Sequence, residues 1–530
     1  MSRMSLPCIL FEDDDYLVVD KPAGVSTHAP SPCAGDGIYD LLRRRELRWA
    51  SLAILHRLDK ETSGIMVFSK STRANRSLSQ QFEARQVRKV YLMETDQEAN
   101  FTSREVETAL ARSGERYLAR PVHAGGETAV TRFKYLRAVA PGRFLWEASP
   151  LTGKTHQIRV HAAYLGIPIR GDDLYGGSRA SRVCLHAAEL GFEGVEGGGR
   201  RFQAGVDFEA DARQRMRIAV IEPELTNAYR LIHGGADGWP GWYVDRFGDY
   251  LLSQAASPMQ PAWEEWLRRR AGELGTRGVY HKILSRKPGA EGPGQASPLL
   301  VFGEGAEEEF EILENGNRYR ASFARGYSTG LFLDQRENRR RWKVGVGGWR
   351  AGGAGQRAEV LNAFAYTCGF SVCAAQAGAR VISLDLSRNY LDWGRRNFES
   401  NGLDPGAHDF IYGEVGEWLR RLERKGRRFD AIILDPPTFS RSKEGGVFRV
   451  EVDFPKLVRA ALRVLKPAGM LFGASNAAEW KGEDFAEKMA EGVRAGGREL
   501  SSIEYVAQPL DFPIHPREPA YFKSVWMRVE

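Results

Sequence analysis

Residues 381–400 read VISLDLSRNYLDWGRRNFES, and their pattern decides the fold class of the second half of the chain. The apolar run Val381–Leu384 predicts a buried strand, and Ser387–Ser400 has the apolar spacing of an amphipathic helix. Asp385 ends the strand, and Ser387 is a residue type that often caps a helix. A strand followed at once by an amphipathic helix is typical of a parallel sheet covered by helices.

The same alternation continues on both sides of this stretch. Strands are expected where short apolar runs occur, and helices where apolar residues fall on one helical face. The further candidates are Val360–Leu361, Val415–Leu422, Ala431–Leu434, Phe454–Leu465 and Met470–Gly473. The sequence therefore predicts a doubly wound, Rossmann-like domain, which we assign to residues 313–530.

Two other domains are expected ahead of it, so the fold class is multidomain α/β. Residues 1–205 combine short alternating strands with turn signals, which favours a strand-rich α+β domain. The glycine-rich, charged stretch 191–217 predicts a boundary. Residues 216–312 then form a small α+β domain, whose helix Pro261–Leu274 places its tryptophans at core-facing positions. Two further soft, glycine-rich stretches are Lys287–Pro298 and Gly345–Gly355.

Composition excludes several classes of protein. With 530 residues, 42% of them hydrophobic and 27% charged, the chain is neither disordered nor fibrous. Its five scattered cysteines form no Cys-x-x-Cys pair, which favours free thiols in a reducing cytoplasm. No apolar stretch reaches the length of a membrane span. The net charge of +7 mildly favours a polyanionic partner such as RNA.

The segment His56–Gly64, HRLDKETSG, carries the densest chemistry of the N-terminal half. It precedes the apolar strand Ile65–Phe68, so Asp59 would lie between cationic neighbours at the start of a buried strand. Such neighbours keep a carboxylate ionised, and an ionised carboxylate can act as a nucleophile. On composition alone, a solvated, ion-paired turn explains the segment better.

Five segments follow one another in the N-terminal half: Val19–Gly24, His56–Gly64, Arg88–Tyr91, Gly153–His161 and Gly171–Gly176. In this order they resemble the motifs of the RluA-class RNA pseudouridine synthases. The resemblance implies that Asp59 is the nucleophile and needs no cofactor. It also implies that Tyr91 stacks on the base, that Arg159 pairs with Asp59, and that Arg57 holds the flipped-out nucleotide.

Two features of the C-terminal domain suggest a nucleotide and a base. Asp385 ends the second strand, where a ribose is commonly bound, although a helix cap explains it equally well. Asp435 and the prolines after it follow strand Ala431–Leu434 and leave carbonyl oxygens free to accept hydrogen bonds from a flat base. Phe439 adds a stacking face. A rigid turn is the alternative.

These features resemble the class I S-adenosylmethionine-dependent methyltransferases, and more narrowly the bacterial 23S rRNA methyltransferases. Arg230–Gly234, Asp237–Arg246 and Thr329–Asn338 are similar to further motifs of that family. The resemblance implies a catalytic Asp435 and S-adenosylmethionine as cofactor. It places Asn362, Phe364, Thr367, Gly369, Asp385, Glu414, Gln335 and Arg336 around the cofactor, and Pro436, Pro437 and Phe439 at the base.

The atom that is methylated can be argued in part from cysteines. Methylation at pyrimidine carbon-5 needs a cysteine thiolate, and no cysteine follows Cys373. A guanine N7 already carries a lone pair, so correct positioning can suffice. The segment Asp435–Lys443, with Ser475 and Asn476, is most similar to the guanine-N7 branch of the family.

The leading hypothesis is a cytoplasmic, metal-free, bifunctional enzyme that modifies RNA, with 23S rRNA as the expected partner. Three alternatives remain open. One domain alone is active and the other binds RNA; the chain is a non-catalytic ribosome-assembly factor; or the methyl acceptor is a small molecule.

Overall fold

The computed structural model describes residues 6–284, 297–325, 329–345, 357–441, 447–477, 479–515 and 518–530. Side chains are not described at 439–441 and 447. The chain divides into two compact units. Unit 1 contains residues 1–28, 37–43 and 48–221, and unit 2 contains residues 29–36, 44–47 and 222–530. Of the two soft stretches, 287–298 and 345–355, almost all lies outside the described residues.

Unit 1 is built around one mixed sheet. Its strands are β1 Ile9–Glu12, β2 Tyr16–Lys21, β3 Ala53–Ile54, β4 Ser63–Ser69, β5 Arg88–Thr95, β6 Ser103–Ser113, β7 Arg116–Arg120, β8 Glu127–Ala140, β9 Arg143–Pro150, β10 Leu185–Glu193 and β11 Gly199–Gln203. Its helices are α1 Ile38–Arg45, which runs on into the short segment 44–47 of unit 2, α2 Thr72–Glu83, α3 Gln157–Tyr164 and α4 Ala212–Val220.

The strand order of unit 1 brings two predicted motifs together. The order is β1-β2-β4-β10-β5-β9-β8-β6-β7, with β3 beside β4 and β11 beside β10. Strand β10 is parallel to β4 and antiparallel to β5. The segment that precedes β4 and the side chains of β5 therefore lie near each other. The glycines at 197–199, expected at a domain boundary, instead connect β10 and β11 as a hairpin of this sheet.

Unit 2 contains the remaining elements. Its strands are β12 Ala228–His233, β13 Trp242–Phe247, β14 Tyr250–Ala255, β15 Gly278–Ile283, β16 Leu299–Gly303, β17 Phe310–Glu314, β18 Asn317–Ala321, β19 Glu359–Ala363, β20 Arg380–Asp385, β21 Asp409–Tyr412, β22 Phe429–Leu434, β23 Phe439–Arg441, β24 Val447–Arg449, β25 Leu465–Ser475, β26 Leu500–Val506 and β27 Lys523–Val529. Its helices are α5 Pro261–Leu274, α6 Arg336–Val344, α7 Gly369–Gln376, α8 Arg388–Ser400, α9 Val415–Arg424, α10 Val450–Leu462 and α11 Gly482–Ala495.

The larger sheet of unit 2 has the order β21-β20-β19-β22-β25-β27-β26. Its first five strands are parallel, which confirms the predicted doubly wound arrangement. Strand β27 is antiparallel to both of its neighbours, which the sequence did not predict. Helices cover the sheet because each connection between parallel strands must cross over one of its faces. The carboxyl ends of β19, β20 and β22 meet at one edge, where ligands of such folds bind.

A five-stranded sheet of unit 2 runs β12-β13-β14-β15-β16 and packs on α5. Trp242 of β13 is buried and stacks on Trp263 of α5 at 5.2 Å between ring centroids. Trp266 meets the same ring edge-on. The tryptophans of α5 are therefore core residues, as predicted. No helix in the described part of the chain is long and apolar enough to cross a membrane.

Candidate functional site

The candidate site of unit 1 is centred on Asp59, in the loop that precedes β4. Two contacts hold this loop against the sheet. Thr27 Oγ1 donates to the carbonyl oxygen of Leu58 and accepts from its amide. Lys21 Nζ donates to the carbonyl oxygens of Pro22 and Val25, at 3.0 and 2.6 Å, and more weakly to that of Lys60 at 3.4 Å. The buried lysine thus holds mainly its own turn, residues 22–25, and makes one weak contact with the loop that carries Asp59.

Arg159 of α3 connects Asp59 to a deeper carboxylate. Its Nε and Nη2 donate to Asp172 at 2.6 and 2.8 Å, a bidentate pair that is almost fully buried. Its Nη1 lies 3.6 Å from Asp59 Oδ2 and 3.5 Å from Glu61 Oε2. Because Asp172 fixes the plane of the guanidinium, one edge of Arg159 is directed at Asp59.

His156 and Tyr175 form a second support. His156 Nδ1 lies 2.8 Å from the Tyr175 hydroxyl, and Nε2 lies 4.0 Å from Asp59 Oδ2. Burial lowers the pKa of His156, and the Asp59 carboxylate opposes that shift. The Arg159 guanidinium stands 5.2 Å from the centre of the Tyr175 ring. The Asp59 side chain keeps 25% of its surface exposed, so a substrate can reach it.

Tyr91 and Arg57 complete the predicted set. Tyr91 lies on β5, and burial together with the charge of Asp59 raises the pKa of its phenol well above the ordinary value. The hydroxyl therefore stays protonated and can donate a hydrogen bond. Arg57 is exposed in the Asp59 loop, and no ion pair or hydrogen bond of its side chain is found among the described residues. The structure thus brings Asp59, Tyr91 and Arg159 together. Asp172 and His156 also belong to this site. The sequence analysis assigned them no role, although both lie in the segments that resemble the synthase motifs.

The candidate site of unit 2 lies at the carboxyl edge of its larger sheet. The loop after β19 takes left-handed backbone at Phe364, Tyr366 and Cys368, with φ of +61°, +48° and +63°. This tight turn lets the Tyr366 amide donate to Asp385 Oδ2 at 2.8 Å. Burial raises the pKa of Asp385. The loop after β19 and the end of β20 therefore lie side by side at the carboxyl edge of the sheet, which we call the rim.

The predicted cofactor residues occupy this rim in different ways. Asn362 is buried and donates to Ser371, while its Oδ1 has no hydrogen-bond partner in the described structure. Thr367 is fully buried and donates to the carbonyl of Gly330. Gly369 opens α7, and a Cβ there would come within 3.1 Å of Leu331. Glu414 caps α9 by accepting from the amides of the helix's first turn.

Gln335 and Arg336 are adjacent in sequence, but their side chains contact different carboxylates. Gln335 Nε2 donates to Asp435 Oδ2 at 3.0 Å and so borders the site. The Arg336 guanidinium is buried and forms a bidentate pair with Asp511 at 2.5 and 2.9 Å. The donors of Arg336 are directed at Asp511, 175 residues later in the chain, and its predicted place beside the cofactor stays a prediction.

Asp435, directly after β22, has a second acid near it. Burial raises its pKa to about 7, the negative charge of Asp334 adds to that shift, and Arg339 and the Gln335 hydrogen bond oppose it. Asp334 in turn accepts from the Tyr521 hydroxyl at 2.8 Å. Sequence reasoning missed Asp334, whose only signal was its place in the quoted segment Thr329–Asn338.

The two prolines after Asp435 differ in exposure. Pro436 is buried and Pro437 is exposed. Thr438, next along, donates to Asn476 Oδ1 at 2.6 Å, which joins the loop to the end of β25. Phe439 belongs by its backbone to β23, but its side chain lies outside the described residues, as do Ser442 and Lys443. Within the described ranges, no three His, Cys, Asp or Glu side chains are grouped as metal ligands are.

Strand order, the acidic residue ending β20 and the Asp-Pro-Pro turn after β22 define unit 2 as a class I methyltransferase fold. Residues 230–526 match the family model described as S-adenosylmethionine-dependent methyltransferase. The chain therefore belongs to this family, and S-adenosylmethionine is its cofactor. Residues 15–164 match the model of RNA pseudouridylate synthase, so the chain joins that domain to a methyltransferase.

Curated relatives agree with the methyltransferase match. A protein of Deinococcus radiodurans named ribosomal RNA large subunit methyltransferase is 32% identical over 332 residues, which cover 60% of this chain and 78% of the relative. Ribosomal RNA large subunit methyltransferase I of Aeromonas hydrophila is 32% identical over 59% of this chain and 78% of its own length. Among solved structures, a protein described as a putative methyltransferase complexed with SAH is 28% identical over 60% of this chain and 78% of its own, with a TM-score of 0.49.

Proposed function

We propose that this chain is a bifunctional enzyme of large-subunit (23S) rRNA: unit 1 converts uridine to pseudouridine, and unit 2 methylates a base, with guanine N7 as the target atom. The observation that supports it best is a pair of half-buried acids, one at each candidate site. Asp59 faces Arg159, and Asp435 lies at the ligand edge of a methyltransferase sheet. The names of the curated relatives support rRNA as the substrate.

In unit 1, Asp59 acts as the nucleophile that lets uracil leave its sugar, turn and rejoin through carbon. Arg159 stabilises the carboxylate, and it is itself kept in place by Asp172. Tyr91 lies close enough for the charge of Asp59 to affect it, and it keeps its proton, so it can stack on the base and donate to it. The target base must first be flipped out of its stack, and the exposed Arg57 can contact the flipped nucleotide.

In unit 2, the residues at the sheet edge fit the cofactor. The unpartnered Oδ1 of Asn362 and the rim formed with Asp385 offer acceptors for a nucleoside. When bound there, S-adenosylmethionine supplies a sulfonium methyl group. Asp435, Gln335 and the carbonyl oxygens of the Asp-Pro-Pro turn then position the base, so that a ring nitrogen with a free lone pair faces the methyl group.

The two cysteines within residues 230–526, the part that matches the methyltransferase model, support nitrogen rather than carbon as the target. Carbon-5 methylation needs a thiolate. Cys368 and Cys373 are buried, and burial raises their pKa to about 12 and about 11. Both thiols are therefore protonated at neutral pH and closed to a substrate. Guanine N7 needs no such nucleophile.

The test is nucleoside mass spectrometry with site mapping on rRNA from a strain that lacks the gene. We expect one pseudouridine and one 7-methylguanosine to be missing, and wild type to restore both. Asp59→Asn should restore only the methyl mark, and Asp435→Ala only the pseudouridine. A full complement of marks in the deletion strain would refute the proposal, and 5-methylcytidine as the missing methyl mark would refute the guanine assignment.

A further inference from the structure

The outer face of α9 carries an unusual density of positive charge. Residues 415–428 read VGEWLRRLERKGRR, with six basic and two acidic side chains. The apolar positions Val415, Leu419 and Leu422 are buried against the sheet. Helical periodicity therefore turns the basic side chains to solvent. We call Arg420, Arg421, Arg424 and Lys425, all exposed, the α9 basic face.

This face includes a shallow depression. Its volume is about 320 Å³, and it is lined by Glu417, Trp418, Arg420, Arg421 and Arg424. The Arg421 guanidinium lies over the Trp418 indole, 4.6 Å from the ring centroid. An arginine held flat on a ring loses less freedom when its N–H groups bind a phosphate.

Among the described residues, no carboxylate neutralises the charges of the α9 basic face. Across the described residues, none of its four side chains has an acidic partner within 4.0 Å. Some exposed arginines of unit 2 are paired within the fold, such as Arg268 with Glu264 and Arg325 with Glu308. Cations that do not stabilise their own fold are available to an external anion.

The position of α9 relates the face to the methyltransferase site. Glu414, at the amino end of the helix, follows β21 at the sheet edge where Asp385 and Asp435 lie. With ten residues, α9 extends about 15 Å away from that edge. Strand β21 is the outermost strand of this sheet, and β20 and β19 separate it from β22. A nucleic acid strand whose base enters beside Asp435 can cross these two strand ends and continue along the helix.

We propose that the α9 basic face binds the phosphate backbone of the RNA that unit 2 methylates. The inference rests on the proposed function for its ligand. A polyanionic backbone fits closely spaced arginines, because each phosphate contact releases counterions. A membrane surface fits less well, because the apolar side of α9 is packed in the core and cannot enter a bilayer.

The experiment compares two triple variants of the full chain. Arg420→Gln, Arg421→Gln and Arg424→Gln together remove three charges from the face. Arg268→Gln, Arg269→Gln and Arg270→Gln together remove three charges from α5 as the matched control. For each protein, the affinity for an rRNA fragment is measured over a range of salt concentrations, together with S-adenosylmethionine binding by calorimetry.

The α9 variant should bind the fragment roughly tenfold more weakly at physiological salt, and its log–log salt slope should be smaller by about 2, since each lost contact removes about 0.7. Cofactor affinity should not change, and the α5 variant should resemble wild type. Equal losses in both triple variants, unchanged binding in the α9 variant, or a preference of wild type for anionic vesicles over RNA would each overturn the inference. In those cases wild type would still methylate the fragment, whereas absence of methylation by wild type would instead refute the proposed function.

Discussion

Asp59 and Asp435 are both acids at candidate sites, but their surroundings differ. Asp59 is partly exposed and faces Arg159, with His156 on another side. Asp435 is sheltered and faces a second acid, Asp334. A carboxylate beside another acid is harder to ionise, because the two negative charges repel. The first setting suits a nucleophile, and the second makes ionisation costly to the fold.

That cost predicts a pH-dependent gain in stability for Asp435→Asn. The unfolded side chain titrates near 3.8 and the folded one near 7, so the folded state holds an extra proton between these values and loses stability as the pH rises through them. Asparagine cannot ionise and still accepts from Gln335. At pH 8 the variant should unfold with a free energy about 2 kcal/mol higher than wild type, which is half of the full linkage value because the group is partly exposed.

Urea unfolding at pH 4 and pH 8 measures this difference. The two proteins should be about equally stable at pH 4, where Asp435 is protonated in the folded state. Asp392→Asn, at an exposed acid paired with Arg395, is the control and should show no comparable gain at pH 8. If Asp435→Asn is less stable than wild type at pH 8, the conclusion that ionised Asp435 destabilises the fold is wrong.

Arg159→Lys tests the cation beside Asp59. Lysine lacks the planar fork that pairs with Asp172 through two hydrogen bonds, so its charge is no longer fixed opposite Asp59. The single-turnover rate of pseudouridine formation should fall about 100-fold or more, with RNA affinity nearly unchanged.

Asp172 is expected to act through Arg159 rather than on the substrate. Asp172→Asn should therefore lower the rate less than Arg159→Lys, and the double variant should be no slower than Arg159→Lys alone. Additive effects in this double-mutant cycle would show that Asp172 has a separate role.

Gly64 allows strands β4 and β10 to approach each other closely. Its φ is +121°, and a Cβ there would lie 2.3 Å from the carbonyl oxygen of Ala187 on β10. In Gly64→Ala the two strands must separate, and the loop that carries Asp59 shifts with β4. We expect loss of pseudouridine formation with methylation retained, measured on the same rRNA by nucleoside mass spectrometry.

Gly114→Ala is the matched control, because Gly114 also has a positive φ but no atom within 4 Å of a Cβ. It should cost only about 1 kcal/mol of backbone strain and leave both marks in place. Loss of pseudouridine in this variant as well would mean that the first result reports general instability of unit 1.

The sequence predicted the first and last residue of a helix more accurately where proline or glycine stands at its ends. Helix α5 was predicted with the bounds Pro261–Leu274 that it has, since proline opens it and Gly275 ends it in left-handed backbone. The helix predicted at Phe454–Leu465 runs instead from Val450 to Leu462, and Leu465 begins β25. Periodicity identifies the buried face of a helix but not its ends.

Prediction of the candidate sites was also limited, because a local sequence pattern does not identify partners that are far apart in the chain. Residues near one another in sequence, such as the Asp435 turn, could be placed at the sheet edge from strand order alone. The partners of Arg336 and Asp334 could not, because Asp511 and Tyr521 are 175 and 187 residues away. Nothing in the local sequence around Gln335 and Arg336 distinguishes the side chain that contacts Asp435 from the one that does not.

The two domains are joined on one chain, and this joining should strengthen the binding of an RNA that carries both targets. If both targets lie on one RNA, binding by either unit raises the effective concentration of the other target. An rRNA fragment that carries both targets should therefore have a lower KM for methylation, roughly tenfold or more, than a fragment with the methylation target alone. The kcat should not change, because tethering does not alter the methyltransferase site.

Asp59→Asn separates tethering from the order of the two reactions. This variant keeps the binding surface of unit 1 but makes no pseudouridine. It should retain the low KM on the two-target fragment if binding is what matters, and it should show the higher KM on both fragments if unit 2 requires pseudouridine in its substrate. An equal KM of wild type on the two fragments would mean that each unit finds its RNA independently, and that the fusion gives neither reaction an advantage in binding.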